Sequence, residues 1–384
     1  MNWLQKKRAA FRQFDALKKL QMELSGGVVH LTPSGIVRGH ALLSYITLPF
    51  VTKDPHYLDG HTNRWESRDM AAALLERGYA VDIIDWDNQT FKPKRHYDIF
   101  IDIGPTMERI APLLGDHCLK VFHATGAHWL FQNHAEYTRL LQLKERRGFI
   151  LSPQRIVPPS RSVESADIVT ILGNSFTHGT YEYAKKQLLP IPLSTTHTYD
   201  FPTRAKGSEC RFIWFGGSGL VHKGLDITLE AFAAMPEYEL TVCGPISSEP
   251  EFRSVYHKEL FESPNITVLD RIDPGGPEFK KLMQTHSALI HPSCSEGQSG
   301  AVVTCMHAGF VPILSRESGV DVNNFGTVLL TNNVDTIRAA VQEHAARTSD
   351  DLLSRSRAAW EYARTHHTRE TFSKSFRAIL DTLL

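Results

Sequence analysis

Two glycine-rich turns hold the residues best suited to chemistry. The first, "GGSGLVHKGLD" (216–226), follows the apolar run "CRFIWFGG" and places Lys223 where a helix begins. Glycines let the backbone approach a ligand. Free amides and the positive end of a helix dipole favour an anion by roughly 0.3–1 kcal/mol, and an ammonium adds a point charge beside them. A phosphate suits this loop, with Gly216, Gly217 and Gly219 against it. The second turn, "CSEGQSG" (294–300), sits between the strand-like "ALIHPS" and the helical "AVVTCMHAG". Glu296 there can accept hydrogen bonds from several ligand hydroxyls, while the amides of Gly297, Gln298, Ser299 and Gly300 point at the same ligand. The plainer alternatives are an ordinary turn with an exposed lysine and a solvated glutamate.

Such turns need strands behind them, and the chain supplies these twice. Apolar runs at 28–32, 79–86, 97–104, 119–126 and 166–174 alternate with helix-period segments at Trp65–Arg77 and Glu136–Arg147. Gly78 and Gly148 follow those helices, where left-handed caps belong. A stretch rich in Pro, Ser and Thr (191–209) reads as a linker. A second alternation then runs through strands at 210–217, 238–245, 265–271, 287–293 and 311–315. Between them lie helices at Lys223–Ala234, Pro277–Gln284 and Gly300–Ala308, and the chain is helical after Val334. This pattern predicts an α/β fold of two facing doubly wound, Rossmann-like domains, with ligands at the carboxyl ends of the strands.

Composition narrows the partners. Lys plus Arg equals Asp plus Glu at 42 each, so no overall field draws nucleic acid. The 5 cysteines are odd in number and contain no C-x-x-C pair, which points to a reduced, cytoplasmic setting without a disulfide framework. Despite 19 histidines, no H-E-x-x-H or cysteine–histidine ligand set occurs, and no metal site is expected. Residues 1–24 read as an amphipathic, net positive helix, with Leu4, Phe11, Phe14, Leu17 and Leu24 at helical spacing. Two readings stay open for it: packing on its own domain, or peripheral contact with the cytoplasmic face of a membrane.

Taken together, the two loops resemble the carboxyl-terminal domain of the retaining, GT-B type glycosyltransferases, glycosyltransferase group 1 (family four). The resemblance covers 210 to about 330. It is carried by Lys223-Gly224-Leu225-Asp226, by Pro292-Ser293-Cys294-Ser295-Glu296-Gly297, by "HAGFVPI" and by the later strand "FGTVLL". It implies a nucleoside-diphosphate sugar as donor substrate, with no further cofactor, and a saccharide or lipid-linked acceptor. Lys223 would meet the donor diphosphate and Glu296 the transferred sugar. His123, in "KVFHATGAH", would face that sugar from the other domain, with His128 and Asn63 as weaker acceptor contacts. The aromatic and histidine residues 123–134 are further candidates for an acceptor pocket. The implied division is 1–205 (acceptor side), 206–364 (nucleotide-sugar side) and a helix, 365–384, crossing back.

Two positions depart from the family pattern. Thr304 stands where a ribose-binding glutamate is usual, and Gly217 where an arginine usually holds the diphosphate; Arg316 is a candidate replacement for that charge. These departures keep two alternatives open: a nucleotide-sugar epimerase of the same shape, and a catalytically silent binding subunit.

Overall fold

A computed structural model describes residues 27–54 and 56–384, so the amphipathic segment at 1–24 lies outside the described residues. Two sheets dominate. The first contains β1 (Val28–Leu31), β2 (Gly39–Tyr45), β3 (Tyr79–Asp85), β4 (Ile99–Asp102), β5 (Leu119–Ala124), β6 (Ile168–Ile171) and β7 (Gln187–Pro190). Their order is β1-β3-β2-β4-β5-β6-β7, parallel throughout except for β1, which runs antiparallel along one edge. The second contains β8 (Arg211–Phe215), β9 (Glu239–Cys243), β10 (Ile266–Asp270), β11 (Ala288–His291), β12 (Val311–Ser315) and β13 (Thr327–Leu329). It is wholly parallel in the order β10-β9-β8-β11-β12-β13.

Strand β2, "GHALLSY", is absent from the sequence reading although it lies between β3 and β4, with Ala41, Leu42 and Leu43 fully buried. Its apolar run is short and begins with Gly-His, so no periodic signal marks it. Strand β7 was also not anticipated; Pro190 is tolerated there because β7 is an edge strand.

The helices that matter for the site are α1 (Thr62–Glu76), α2 (Trp129–Arg147), α3 (Leu225–Ala233), α4 (Gly300–His307), α5 (Ser349–His366) and α6 (Arg369–Leu383). Gly148 closes α2 in the left-handed region, with φ 74°. The amino end of α2 lies at Trp129 rather than Glu136, because His128 caps it by accepting from the Leu130 amide.

The two halves are not loosely tethered. Leu143 of α2 and Leu151 just beyond it share a core with Phe212, Trp214 and Phe232 around the second sheet. The basic end of α2 makes the same attachment electrostatically: Arg146 reaches Asp226 (2.6 Å) and Glu230 (3.0 Å), and Arg147 reaches Glu259 (2.8 Å). The 191–209 connection is packed rather than free. Ile191 and Leu193 are buried, and the Ser194 amide donates to Glu66 (3.0 Å).

Helix α6 lies against α1. Arg377 forks onto Glu76 (2.8 Å) and also meets Asp69 (3.0 Å), while Phe372, Phe376 and Leu380 point into the core. Removing the Phe376 ring, 1% exposed, leaves a cavity where α6 meets that core. Phe376→Ala is expected to lower unfolding free energy by about 3–5 kcal/mol, measured by denaturant unfolding.

Candidate active site

The carboxyl ends of the strands in both sheets face one cleft of about 690 Å³. Tyr45 ends β2 and Ile103 and Thr125 follow β4 and β5 on one wall; Gly216, Gly244 and Arg271 follow β8, β9 and β10 on the other. The loop after β11 brings Glu296 to Gly300 between the walls. At Gly297 the two halves touch so closely that an added Cβ would come within 2.1 Å of the Thr125 carbonyl oxygen, so only glycine fits.

Lys223 and Glu296, far apart in sequence, form an ion pair at the base of this cleft, with both side chains mostly buried. Ser293 donates its hydroxyl to the same carboxylate oxygen (3.0 Å), and His291 Nε2 lies 3.7 Å away. Burial alone would raise the Glu296 pKa, but the ammonium of Lys223 and the contact with His291 hold it well below the usual carboxylate range. Glu296 is therefore an anion at neutral pH. Burial pushes His291 down, towards the neutral imidazole.

Open donors cluster beside this pair. The amides of Gly297, Gln298, Gly300 and Ala301 have no hydrogen-bond acceptor among the described residues, and all four residues line the cleft at the amino end of α4. Ser299 differs: its amide donates to the Ser318 carbonyl (2.9 Å) and its hydroxyl pairs with His291 (3.0 Å). The Gln298 side chain accepts from the Leu193 amide (2.7 Å), fixing the loop to the inter-sheet connection. Thr304 lines the cleft with its hydroxyl donating to the Gly300 carbonyl (2.8 Å), which leaves its oxygen able to accept.

Gly216 and Gly217 line the cleft, and the space beside the Gly217 α-carbon is open. Gly219 corrects the expectation for its loop. Its amide, and that of Leu220, already donate to Glu249 (2.6 and 3.2 Å), so a carboxylate of the protein takes the anion position there. Lys223 itself precedes α3, whose first residue is Leu225.

A second correction concerns His123. Side chains alternate along a strand, and on β5 Val121 and His123 turn into the sheet while Phe122 takes the opposite face towards a neighbouring chamber. His123 is fully buried, hydrogen-bonded to Thr170 (2.9 Å) and set behind Tyr45, whose ring lies 6.1 Å away; it does not line the cleft. Burial holds its pKa down at about 4. Asn63 does line the cleft, as does His61, which caps α1 by accepting from the Asn63 amide. His128 lies at the junction of two outer chambers, and Arg316 is a surface residue beside Glu317 and Phe176 rather than a cleft cation.

Arg155 and Arg271 are the guanidinium groups on the cleft walls, and neither has a hydrogen-bond or ion-pair partner for its side chain among the described residues. Sequence reading missed both because Arg155 sits in an irregular segment and Arg271 comes directly after a strand, where an arginine by itself carries no binding signal.

Behind the pair, His222 joins the halves. Nδ1 meets Glu136 of α2 at 2.6 Å and Nε2 meets the Ser295 carbonyl at 2.6 Å, with the ring 1% exposed. Both partners are acceptors, so the ring donates from both nitrogens and is an imidazolium. Burial opposes that charge, but hydrogen bonds to Cys294 and Glu136 and the nearby Glu296 raise its pKa to about 9. Glu136 uses its other oxygen to accept the amides of Gln154 (2.8 Å) and Arg155 (3.3 Å). Glu136, His222 and Cys294 have donor atoms within 4.8 Å of one another. Both ring nitrogens are engaged with oxygen acceptors, so the cluster is a hydrogen-bonded network rather than a cation site.

Comparison with known proteins agrees with this geometry. Residues 209–346 match the family model described as glycosyl transferases group 1. Sucrose-phosphate synthase from Thermosynechococcus elongatus superposes with a TM-score of 0.61, at 15% identity over 89% of this chain and 98% of that one. WaaG, a glycosyltransferase involved in lipopolysaccharide biosynthesis, gives 0.53 at 14% identity, covering 88% and 99%. Anabaena Alr3699/HepE, solved with UDP and glucose, gives 0.55 at 11% identity, covering 90% and 99%. No curated protein matches the chain in sequence. The fold is therefore GT-B, two Rossmann-like sheets facing one cleft. Its second half is a glycosyltransferase group 1 domain, and the protein is a glycosyltransferase.

The imidazolium has a thermodynamic signature. A His pKa raised from about 6.5 to about 9 stabilises the fold fully below the unfolded value, and that contribution is lost as pH rises through the folded value. The melting-temperature gap between wild type and His222→Gln is therefore expected to narrow from about pH 7 to about pH 10, followed by circular dichroism.

Proposed function

We propose that the protein moves a sugar from a nucleoside-diphosphate donor to an acceptor hydroxyl with retention of anomeric configuration. One observation carries the reading: Lys223, the open amides at the start of α4 and the anionic Glu296 converge in a single cleft. That arrangement separates two tasks. Lys223, with Arg155 and Arg271 on the walls, faces the negative diphosphate; Glu296 accepts from sugar hydroxyls; and Thr304 offers an oxygen to a ribose hydroxyl. The complexes of Anabaena Alr3699/HepE with UDP and with UDP-glucose support a uridine nucleotide as the first donor to test.

In the reaction the bond from the anomeric carbon to the diphosphate oxygen breaks while the acceptor oxygen bonds to that carbon on the same face. The acceptor proton passes to the departing phosphate oxygen. Charge grows on the leaving diphosphate, so donors already fixed by the fold act where they lower the barrier most. Lys223 must exchange its pairing with Glu296 for the phosphate, which frees the carboxylate for the sugar. In this reading the fixed amides and Lys223 neutralise the diphosphate without a divalent ion. The acceptor is a saccharide or a lipid-linked molecule entering from the side of the first sheet.

UDP is expected to raise the melting temperature of wild type but not of Lys223→Ala. Turnover of UDP-glucose, or of the donor that replaces it in a nucleotide-sugar panel, should fall by about 10²–10³-fold in that variant. Unchanged turnover in Lys223→Ala, or no stabilisation by any nucleoside diphosphate, would sink the reading.

A further inference from the structure

Past Glu296 the cleft opens into a second chamber of about 450 Å³ against the first sheet. Ile103, Thr125, Arg155, Glu296 and Gly297 line both spaces and form a waist between them. Beyond that waist the walls change character. Trp86, Phe122, Trp129, Ile156, Val157 and Val163 supply them, and Trp86, Ile156 and Val157 are 39%, 37% and 36% exposed, so apolar surface faces open space.

Four polar side chains in the same walls are already engaged within the protein, while the indole N–H groups of Trp86 and Trp129 have no acceptor among the described residues. The Gln132 amide donates to the Arg155 carbonyl (2.7 Å) and that of Gln154 to the Ser152 carbonyl (3.2 Å). The Ser162 hydroxyl donates to the Gly104 carbonyl (2.7 Å), and the Tyr181 hydroxyl to that of Gly126 (3.0 Å). A sugar ring placed here would strip water from several hydroxyls and find few partners, each unmatched group costing roughly 1–3 kcal/mol. The charged groups of the chamber are both at the waist, Glu296 and the Arg155 guanidinium, beside the open Gly297 amide.

The chamber also has an exit. His128, Trp129 and Ser160 line both it and an outer groove of about 820 Å³, where Leu130 and Tyr183 are 59% and 53% exposed. At this junction His128 Nε2 pairs with the Tyr183 hydroxyl (3.0 Å), which in turn donates to Glu164 (2.9 Å), so these polar atoms are engaged; Glu108, His134 and Arg161 also line the groove, beside Leu130, Phe131 and Pro159. A compact aromatic group would fill the chamber alone. A chain uses both chamber and groove.

We propose that the chamber and groove hold the alkyl chain of a lipid-type acceptor, whose hydroxyl-bearing head stops at the waist beside Glu296 and Arg155. This rests on reading the main cleft as the donor pocket, since that reading makes the waist the place where acceptor hydroxyl and donor meet. It commits to an apolar acceptor rather than a free saccharide.

The test titrates the full-length protein with hexyl, octyl and decyl β-D-glucosides below their critical micelle concentrations, and with phenyl β-D-glucoside and glucose. Binding is read from tryptophan fluorescence, to which Trp86 and Trp129 in the walls report. UDP binding is measured separately by calorimetry. Affinity is expected to rise roughly three- to fourfold per methylene, with glucose silent and phenyl glucoside weaker than octyl. Val157→Asp, or Ile156→Asp as a second variant, should weaken octyl glucoside at least about tenfold, by placing a carboxylate against the chain, with UDP affinity unchanged. Affinity independent of chain length, glucose or phenyl glucoside binding as tightly as octyl, or both aspartate variants binding octyl glucoside normally would overturn the proposal. Absence of UDP binding would overturn the donor reading instead, and the alkyl series reports independently of it.

Discussion

The contact on which the site depends is the buried bridge from Glu136 through His222 to the Ser295 carbonyl. It links α2, the helix between β5 and β6 of the first sheet, to two cleft loops of the second, because His222 adjoins Lys223 and Ser295 adjoins Glu296 in sequence. Two short donor bonds from one ring demand its doubly protonated form. The carboxylate of Glu136 makes that form stable although water is excluded, as a buried charge requires a matched and hydrogen-bonded partner. Glu136 also accepts two amides of the 154–155 segment, so the same carboxylate places the backbone from which the Arg155 side chain enters the cleft.

In front of that bridge, Lys223 and Glu296 neutralise one another. The cleft would otherwise hold a bare ammonium and a bare carboxylate at low dielectric, each expensive to desolvate. Pairing them lowers that cost while keeping both ionised and ready to separate towards different parts of a ligand. The amides at the start of α4 need no such partner, since a helix end exposes them in any case. Polarity then falls away across the waist, which gives the two sides of the site distinct chemical appetites.

Much of this was legible before folding. Glycine punctuation, apolar runs and the order of the Lys-Gly and Glu-Gly turns located the parallel strands, the cleft edge and the ion pair's two members. The failures share a cause. The Gly219 amide looked free because its acceptor, Glu249, is distant in the chain; His123 looked accessible because strand alternation assigns a side chain to one face without saying which face meets the cleft. Strand β2 was missed because its burial comes from neighbours on both sides, β3 and β4, rather than from its own pattern.

The sequence by itself determined which loops could bind an anion and a polyol, since glycine geometry and charge are local properties. Only the tertiary structure decided that Lys223 and Glu296 meet, that α2 docks on the second sheet, that Arg155 and Arg271 supply guanidinium groups to the cleft, and that apolar walls lie beyond the waist. Those features arise between segments far apart along the chain. A residue's type sets what it can bond, but which partner reaches it depends on how the whole chain packs.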